Sequence, residues 1–477
     1  MSEVRRAIMF SSISTYSVRL IGLALTVIVA RLLTPAEIGT YAIASALVMI
    51  VSEVKLMGAG DYIIREAELT DSKIRAALGL TMMICWSLGA VVLFLGPFAG
   101  DYYDLPPLNY IFWILVPTFF IAPFVSIPFA LLARQFNFKV QMKANLIGTT
   151  AAFIVTVSAI KLGFSYYSLA FGQLASAALK LVIVWHDKEA EVYWKPNFCQ
   201  ILIIAKFGIN NSLANFFKKI IITAPDMVIG KMGTTTQVGM FSRGLGFVDF
   251  LSGSLLMGVA PVALPYLSES KRSGDDLFLS YTRATVLISA LVWPILAVAS
   301  VASLPVIRLF FGDQWDEAAP ITAILALWCI LSSTHHFFNH LLIATGHERF
   351  LPVKEGILVL FILFLLILVF PFGLKTVAQA FLLLGLVELL MVTWILSKKL
   401  GFYILNFYQS LLPSIVITLV CAGTTLCIDL IVPFDSVEPW KPVSVIALVL
   451  PVVWLVALRF MKHPLLFEIF RLFKIKV

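Results

Sequence analysis

The stretch "NNSLANFFKKIIITAPDMVIGKMG", residues 210–233, decides how this chain is read. It is mostly apolar and lies between long apolar runs, yet it carries Lys218, Lys219 and Asp226. A cation at the centre of a bilayer-spanning helix costs at least about 2.5–3.5 kcal/mol on insertion scales. Such a charge lines a water-filled cavity, pairs with another group, or belongs to a loop. Here Ser212, Asn215, Lys219, Thr223 and Asp226 follow one another at intervals of three and four. That spacing puts them along one face of a helix. The stretch reads as the wall of an intramembrane cavity rather than as a loop.

The rest of the chain supports a membrane setting. Its 477 residues are 60% hydrophobic and only 13% charged, with a mean hydropathy of +0.97. A soluble domain carries about 25% charged residues. Apolar runs long enough to cross a bilayer as helices recur throughout. About fourteen are expected, at 7–31, 37–60, 76–99, 107–132, 140–161, 165–186, 202–230, 237–266, 283–307, 318–345, 351–373, 376–397, 407–432 and 442–461. The fold class is an all-α polytopic membrane protein. A barrel is not expected, because its strands would alternate apolar and polar over about ten residues. The basic start "MSEVRR" precedes a segment too long and too polar for a signal peptide, so a retained first helix is expected. Cys85, Cys199, Cys329, Cys421 and Cys427 include no CxxC pair and read as small, mostly membrane-embedded thiols. No metal and no cofactor is expected.

The net charge of +8 has a topological rather than a nucleic-acid explanation. Alternate loops carry twenty-two basic residues, among them Arg5, Arg6, Arg134, Lys354 and Lys399, whereas the other set carries six: Arg31, Lys161, Lys231, Arg308, Lys375 and Lys441. The positive-inside rule assigns the first set, and both termini, to the cytoplasm. The tail "HPLLFEIFRLFKIKV" suits a short amphipathic helix on that leaflet.

The chain also repeats itself at a shift of about 200 residues. Ser12 meets Ser212, Arg19 meets Lys219, Arg31 meets Lys231, Gly39 meets Gly239, Tyr41 meets Phe241, and Ser52 meets Ser252. Further on, "FAGDYYD" at 98–104 meets "FFGDQWD" at 310–316, and "GFSYYSLAF" from Gly163 meets "GLKTVAQAF" from Gly373. A repeat of six helices gives both copies the same orientation, the parallel-repeat transporter plan. The expected organisation is an N-lobe at 1–200, a C-lobe at 201–400, and two further helices with the tail at 401–477.

The repeat gives the opening stretch a partner. Ser12, Tyr16, Arg19 and Thr26 lie at helical spacing near the start of the chain. Two lobes would turn equivalent polar stripes toward a shared space. Arg19 and Lys219, with Lys218 beside it, are the candidate anion-binding cations; Ser12, Tyr16, Ser212 and Asn215 are candidate hydrogen-bonding groups of the cavity wall. A hairpin turning near Thr234 would set Asp226 opposite Arg243, so a bracing Asp226–Arg243 pair is expected. The titratable candidates for ion coupling are Asp226, Asp249, Glu53, His335, His336 and His340. His336 and His340, at i and i+4, have a spacing that could bind a metal, but "SSTHHFFNH" holds no carboxylate or cysteine, and interhelical hydrogen bonding is the favoured reading. No Walker loop, GxSxG, HExxH or kinase motif occurs, so an enzyme is not expected.

Several motifs, in order along nearly the whole chain, resemble a known family. "ARLLTPAEIGTYAIASALVMI", "GAGDYIIREAELT", "LLARQFNF", "DMVIGKMGTTTQVGMFSRG", "LFFGDQWDEAAPITAIL", "ATGHERF" and "KHPLLFEI" are similar to bacterial polysaccharide-export flippases of the Wzx type. The similarity is to the branch exporting colanic-acid, succinoglycan and teichuronic-acid repeat units. The resemblance implies the multidrug/oligosaccharidyl-lipid/polysaccharide exporter fold: fourteen helices, two six-helix lobes plus two, and alternating access. It implies an undecaprenyl-pyrophosphate-linked oligosaccharide carried from the cytoplasmic to the periplasmic leaflet of the bacterial inner membrane. The product would feed exopolysaccharide, O-antigen or capsule assembly, with a polymerase and a chain-length regulator as partners. Related lipid II flippases use a cationic cavity and a lipid groove by the last two helices; Arg19 and Lys219 fit the first. The alternatives are a cation-coupled drug antiporter of the same fold, which would prefer an acidic lumen, and a membrane-embedded polymerase or ligase, which would need a larger loop with clustered carboxylates.

Overall fold

The computed structural model describes residues 2–54, 58–187, 192–199, 201, 204, 209–257 and 260–472. Among them every regular element is helical. The chain divides into two compact units, Met1–Gly239 and Met240–Val477.

The first unit contains α1 (Ser2–Leu32), α2 (Pro35–Val54), α3 (Ala59–Arg65), α4 (Asp71–Tyr102), α5 (Pro107–Ile121), α6 (Pro123–Arg134), α7 (Phe138–Lys161), α8 (Tyr167–His186) and α9 (Ile209–Met232). α10 (Thr235–Leu256) starts at its end. The second unit continues with α11 (Ala260–Ser273), α12 (Leu277–Val301), α13 (Ser303–Phe311), α14 (Ala318–Ser333), α15 (Phe338–Thr345), α16 (Phe350–Val369), α17 (Leu374–Leu400), α18 (Ile404–Ile431), α19 (Trp440–Phe460) and α20 (Pro464–Leu472).

Among the described residues, eleven helices are long and apolar enough to cross a membrane, or twelve when α5 and α6, bent by 43° at Ala122, count as one span. The 24-residue α9 and the 22-residue α10 are long enough but more polar. They complete the fourteen expected segments, and the chain is a multi-pass membrane protein. Three expected spans are broken. Span 37–60 is interrupted at Gly58, just before α3, by a left-handed φ of 70° outside the geometry of a right-handed helix. Span 237–266 divides into α10 and α11. Span 318–345 is interrupted between α14 and α15, and His335 and His336 lie in that break. In the tail, α20 is helical as expected, and residues 473–477 fall outside the described residues.

The duplication is visible as an order of elements. The run from α1 to α8 is matched by the run from α9 to α17, with a short helix after the second long one and a broken helix before the last two. Gly163 and Gly373, paired by the sequence repeat, have φ of 87° and 95° at matching turns before α8 and α17. The corners that open α2 and α10 are capped alike. Thr34 Oγ1 accepts from Glu37 N–H at 3.3 Å while the Glu37 carboxylate accepts from Thr34 N–H at 2.8 Å. Thr234 Oγ1 accepts from Gln237 N–H at 3.2 Å while Gln237 Oε1 accepts from Thr234 N–H at 3.0 Å. Both are capping boxes, each meeting two otherwise orphaned N–H groups.

These two corners pack backbone to backbone. A Cβ on Gly39 would meet the Thr235 carbonyl oxygen at 1.7 Å, and one on Gly239 would meet the Pro35 carbonyl oxygen at 2.1 Å. The contact is reciprocal under the 200-residue shift. Below it α9 lies along α2, where Gly230 leaves room for Ile43.

Elsewhere in the first unit, α1 packs on α7 and α7 on α8. α3, α4 and α6 enclose an apolar core around Ile63, Leu78 and Ile127. Arg134 closes that corner. Its guanidinium donates to the Ile63 and Glu66 carbonyls at 2.8 and 2.5 Å, placing a cation on the orphaned carbonyls at the end of α3. Beside it Lys73 bonds the Glu66 carboxylate at 2.6 Å. That hydrogen bond holds the Glu66 carboxyl below its ordinary value and the Lys73 ammonium above its own.

In the second unit, α12 packs on α14 and α18, and α14 on α17. A core cluster built on α12, α18, α19 and α20 includes Ile417, Cys421, Leu450 and Leu458. α20 is tied back through Arg283 and Glu468 at 3.0 Å. Cys85, Cys329 and Cys421 are buried free thiols, whereas Cys199 and Cys427 are exposed.

Candidate functional site

On α1, Tyr16 is exposed and Arg19 half-buried; the Ser12 side chain lies outside the described residues. On α9, Asn215 is exposed, Ser212, Lys218 and Lys219 are half-buried, and Thr223 is buried. Thr223 Oγ1 donates to the Lys219 carbonyl at 2.8 Å, which satisfies the hydroxyl within its own helix. The polar face read from the opening stretch is therefore a real face of α9, graded from open at Asn215 to closed at Thr223. Lys219 forms no ion pair with a described residue.

Asp226, one turn beyond Thr223, has a buried Oδ1 without a hydrogen-bond partner. In the second unit, Arg243 Nε likewise has none, and its guanidinium lies 5.1 Å from the rings of both Phe311 and Trp315. The expected Asp226–Arg243 brace is carried by no hydrogen bond at either of these atoms. Arg243 is accommodated instead by aromatic faces, whose quadrupole attracts a guanidinium. Of the other coupling candidates, Glu53 is half-buried in the last turn of α2, and Asp249 is exposed on α10.

The histidines resolve into different roles. His335 is buried in the break between α14 and α15. Its Nδ1 lies 3.0 Å from Tyr281 Oη and its Nε2 3.3 Å from Thr393 Oγ1. Thr393 in turn bonds Tyr408 Oη at 2.7 Å. The ring stacks on Phe407 at 5.2 Å and lies 6.3 Å from Tyr281, and those two rings also meet each other at 5.9 Å. His335 thus joins α12, α17 and α18, the interhelical hydrogen bonding favoured for the motif. The His336 and His340 rings are 6.4 Å apart. Among the described residues no group of three or more His, Cys, Asp or Glu side chains could hold a metal ion.

The topology count places Lys354 among the loop charges, and the structure corrects this. α16 already begins at Phe350, so Lys354 lies in its second turn, only 3% exposed. Its ammonium is 2.8 Å from Glu355 Oε1 and 2.7 Å from Glu388 Oε1 on α17. Phe338 lies 5.8 Å from it. Glu355 and Glu388 were not singled out by sequence reasoning. A lone glutamate within the apolar run "LLLGLVELLMV" was the available signal, since an acid in such a setting needs a partner.

Two loops carry the repeated "GD-x-aromatic-D" motif. In the second unit, Arg308 forms a two-pronged bridge to Asp316, 2.9 Å from Nε to Oδ1 and 2.7 Å from Nη2 to Oδ2, and also reaches the Asp435 carbonyl at 3.0 Å. The Asp316 hydrogen bonds raise the Arg308 guanidinium above its already high ordinary value. In the first unit, Lys231 reaches the equivalent Asp104 at only 3.7 Å and lies 4.6 Å from the Tyr102 ring. Both arrangements fix a loop, consistent with caps rather than a catalytic centre. In the second unit a cavity of about 350 Å³ lies between α12, α18 and α19, lined by Pro294, Val298, Cys421, Ile446, Leu450 and Trp454.

With this geometry in place, comparisons with known proteins identify the relatives. The chain is 24% identical over 311 residues to the succinoglycan biosynthesis transport protein ExoT of Rhizobium meliloti (strain 1021), covering 63% of this chain and 61% of ExoT. It is 21% identical over 414 residues to the teichuronic acid biosynthesis protein TuaB of Bacillus subtilis (strain 168), covering 86% of this chain and 85% of TuaB. Its fold resembles that of the lipid II flippase MurJ in an inward closed conformation, with a TM-score of 0.76 at 16% identity, over 95% of this chain and all of MurJ. A multidrug resistance MATE family transporter of the MOP superfamily, inward-facing, matches with a TM-score of 0.64 at 14% identity, over 82% of this chain and 98% of that one. The family model described as "polysaccharide biosynthesis protein" matches residues 28–320, so the chain belongs to that family of membrane proteins.

Proposed function

We propose that this protein translocates undecaprenyl-pyrophosphate-linked oligosaccharide repeat units from the cytoplasmic to the periplasmic leaflet of a bacterial inner membrane, by alternating access. Polysaccharide biosynthesis is the common thread of the family and of ExoT and TuaB, and the MurJ-like fold is suited to moving a lipid-linked headgroup. The observation that carries the reading is the state of Lys219: a lysine in a long helix, half-buried rather than fully buried, with no ion pair to a described residue. Such a cation is held ready for an anion that arrives.

The physical task is to carry a pyrophosphate and polar sugars through about 30 Å of hydrocarbon. Arg19, Lys219 and Lys218 take the place of water around the pyrophosphate, an attraction strengthened by the lower effective dielectric of a membrane cavity. Ser12, Tyr16, Ser212 and Asn215 hydrogen-bond sugar hydroxyls. The apolar cavity between α12, α18 and α19 suits part of the prenyl chain, since its named lining side chains are almost wholly hydrocarbon. Both termini lie in the cytoplasm, and the six-helix lobes 1–200 and 201–400 rock about the shared space.

Charge removal tests this. In Arg19→Ala/Lys219→Ala, polymer export is lost and lipid-linked repeat units accumulate in the inner leaflet. Normal export from that double variant would overturn the cationic cavity. Unchanged lipid-linked pools in a strain lacking the gene would overturn the flippase reading itself.

A further inference from the structure

The Lys354 cluster is not used by the mechanism above. One ammonium is shared between two carboxylates at nearly equal distances, 2.8 Å to Glu355 and 2.7 Å to Glu388. The two carboxylates differ in position. Glu355 neighbours Lys354 on α16 and is only 2% exposed, whereas Glu388 comes from α17 and is 23% exposed. Lys354 and Glu355 therefore form a neutral pair within one helix. Glu388 is the bond between two helices, and it is the more exposed of the two carboxylates.

We propose that Glu388 is a binding site for a mobile proton, and that its protonation state sets whether α16 and α17 are bonded through Lys354. When all three groups are ionised, together they carry one negative charge, and the ammonium clamps α17 to α16. A proton from water adds to a Glu388 carboxylate oxygen, giving a neutral carboxyl. The ammonium keeps its own protons and its ion pair with Glu355, and the three groups then sum to zero. In a poorly polarisable interior, the loss of one charge-assisted contact weighs far more than it would in water. The proton is thereby coupled to the packing of two long helices. Its role as an energy source for translocation rests on the proposed flippase activity; the site itself does not.

The groups around it are placed to pass or sense that charge. His335, in the α14–α15 break, is within electrostatic reach of both Lys354 and Glu388. Through its bonds to Tyr281 and Thr393, and from Thr393 to Tyr408, it links the cluster to α12 and α18. α15 carries His340, with His336 in the break before it, and α17 also brings Lys399, 5.6 Å from the Phe350 ring at the start of α16. His347 stacks on that same ring.

The test uses the full chain in lipid nanodiscs, without substrate. Infrared difference spectra between mildly alkaline and mildly acidic buffer should show a protonated carboxyl C=O band gained on acidification. The band should be lost in Glu388→Gln, remain in Glu355→Gln, and return at a shifted pH in Glu388→Asp. Thermal melting of each variant in the same discs identifies any that fails to fold, and Glu388→Asp then carries the comparison. Identical wild-type and Glu388→Gln spectra would overturn the proposal, as would a band that follows sodium concentration rather than pH. In proteoliposomes, Glu388→Gln should also lose stimulation by an imposed pH gradient. A protein that shows the band but flips no lipid-linked sugar supports the proton site and overturns the flippase reading instead.

Discussion

The two units treat their embedded charges in opposite ways. In the first, Lys219 remains half-buried on the polar face of α9 and forms no ion pair with a described residue. In the second, Lys354 is 3% exposed and bonded to two carboxylates. The units also differ at the loops that carry the repeated motif, where Arg308 grips Asp316 with two bonds while Lys231 only approaches Asp104. A lysine inside a membrane protein thus has no single meaning. What its neighbours offer decides whether it is available to a ligand or neutralised within the fold.

The strongest way to break this comparison is to remove each lysine in turn. Lys354→Met leaves Glu355 buried beside a lost counter-charge, and stability should fall by about 3–5 kcal/mol, the usual cost of breaking a buried pair from one side. Lys219→Met removes no ion pair with a described residue, and stability should change by no more than about 0.5 kcal/mol, while export falls. Thermal unfolding of the purified variants, read beside export in cells, checks both. Equal losses of stability in the two variants would erase the distinction between an available cation and a neutralised one.

A second difference lies in backbone contact. The first unit holds its helix corners together through Gly39 and Gly239, where a methyl group would meet a carbonyl oxygen. Gly39→Ala and Gly239→Ala should each cost about 1–3 kcal/mol, as overpacking does. Gly22, in the middle of α1, has nothing within 4 Å of the position a Cβ would take. There, alanine should be neutral or stabilise by up to about 0.5–1 kcal/mol. Matched melting curves check the contrast, and a neutral Gly39→Ala would mean that the corner yields without cost.

The balance between these features and the sequence can be argued residue by residue. Helical content, the approximate number of spans and the duplication were legible because hydropathy and matched residues survive without knowledge of contacts. Gly39 and Gly239 were paired by the repeat alone, but their reciprocal contact depends on how two corners approach, which no spacing reveals. The capping boxes at Thr34–Glu37 and Thr234–Gln237 were readable in principle from a threonine followed three residues later by Glu or Gln. Lys354 was misplaced for a physical reason. It lies near the start of the expected span 351–373, where a basic residue counts with the adjoining loop, and its burial against two carboxylates depends on contacts that no spacing reveals. The aromatic surroundings of Arg243 were not legible, because contact of a guanidinium with ring faces depends on packing rather than on spacing.

The mildest test concerns the end of the second unit, where a neutral histidine is built into the fold. His463, between α19 and α20, is almost wholly buried. Its Nδ1 accepts the Leu465 N–H at 3.2 Å, so Nε2 carries the ring proton and donates to Ser414 Oγ at 3.2 Å. A second proton would have to sit on Nδ1, facing another donor. Burial pushes the imidazole down to about 4 from its ordinary 6.5. The unfolded histidine therefore takes up a proton that the folded one refuses. Docking of α20 should be firmest above the ordinary value, weaken as pH falls through the interval toward 4, and change no further below it. By about pH 6 the loss stays under ~1 kcal/mol. Hydrogen exchange in 464–472 should accelerate over that interval while exchange in α2 and α9 does not follow, and His463→Asn should flatten the response. Acceleration that persists in His463→Asn would assign the pH response to another group and remove this histidine from the contrast between the units.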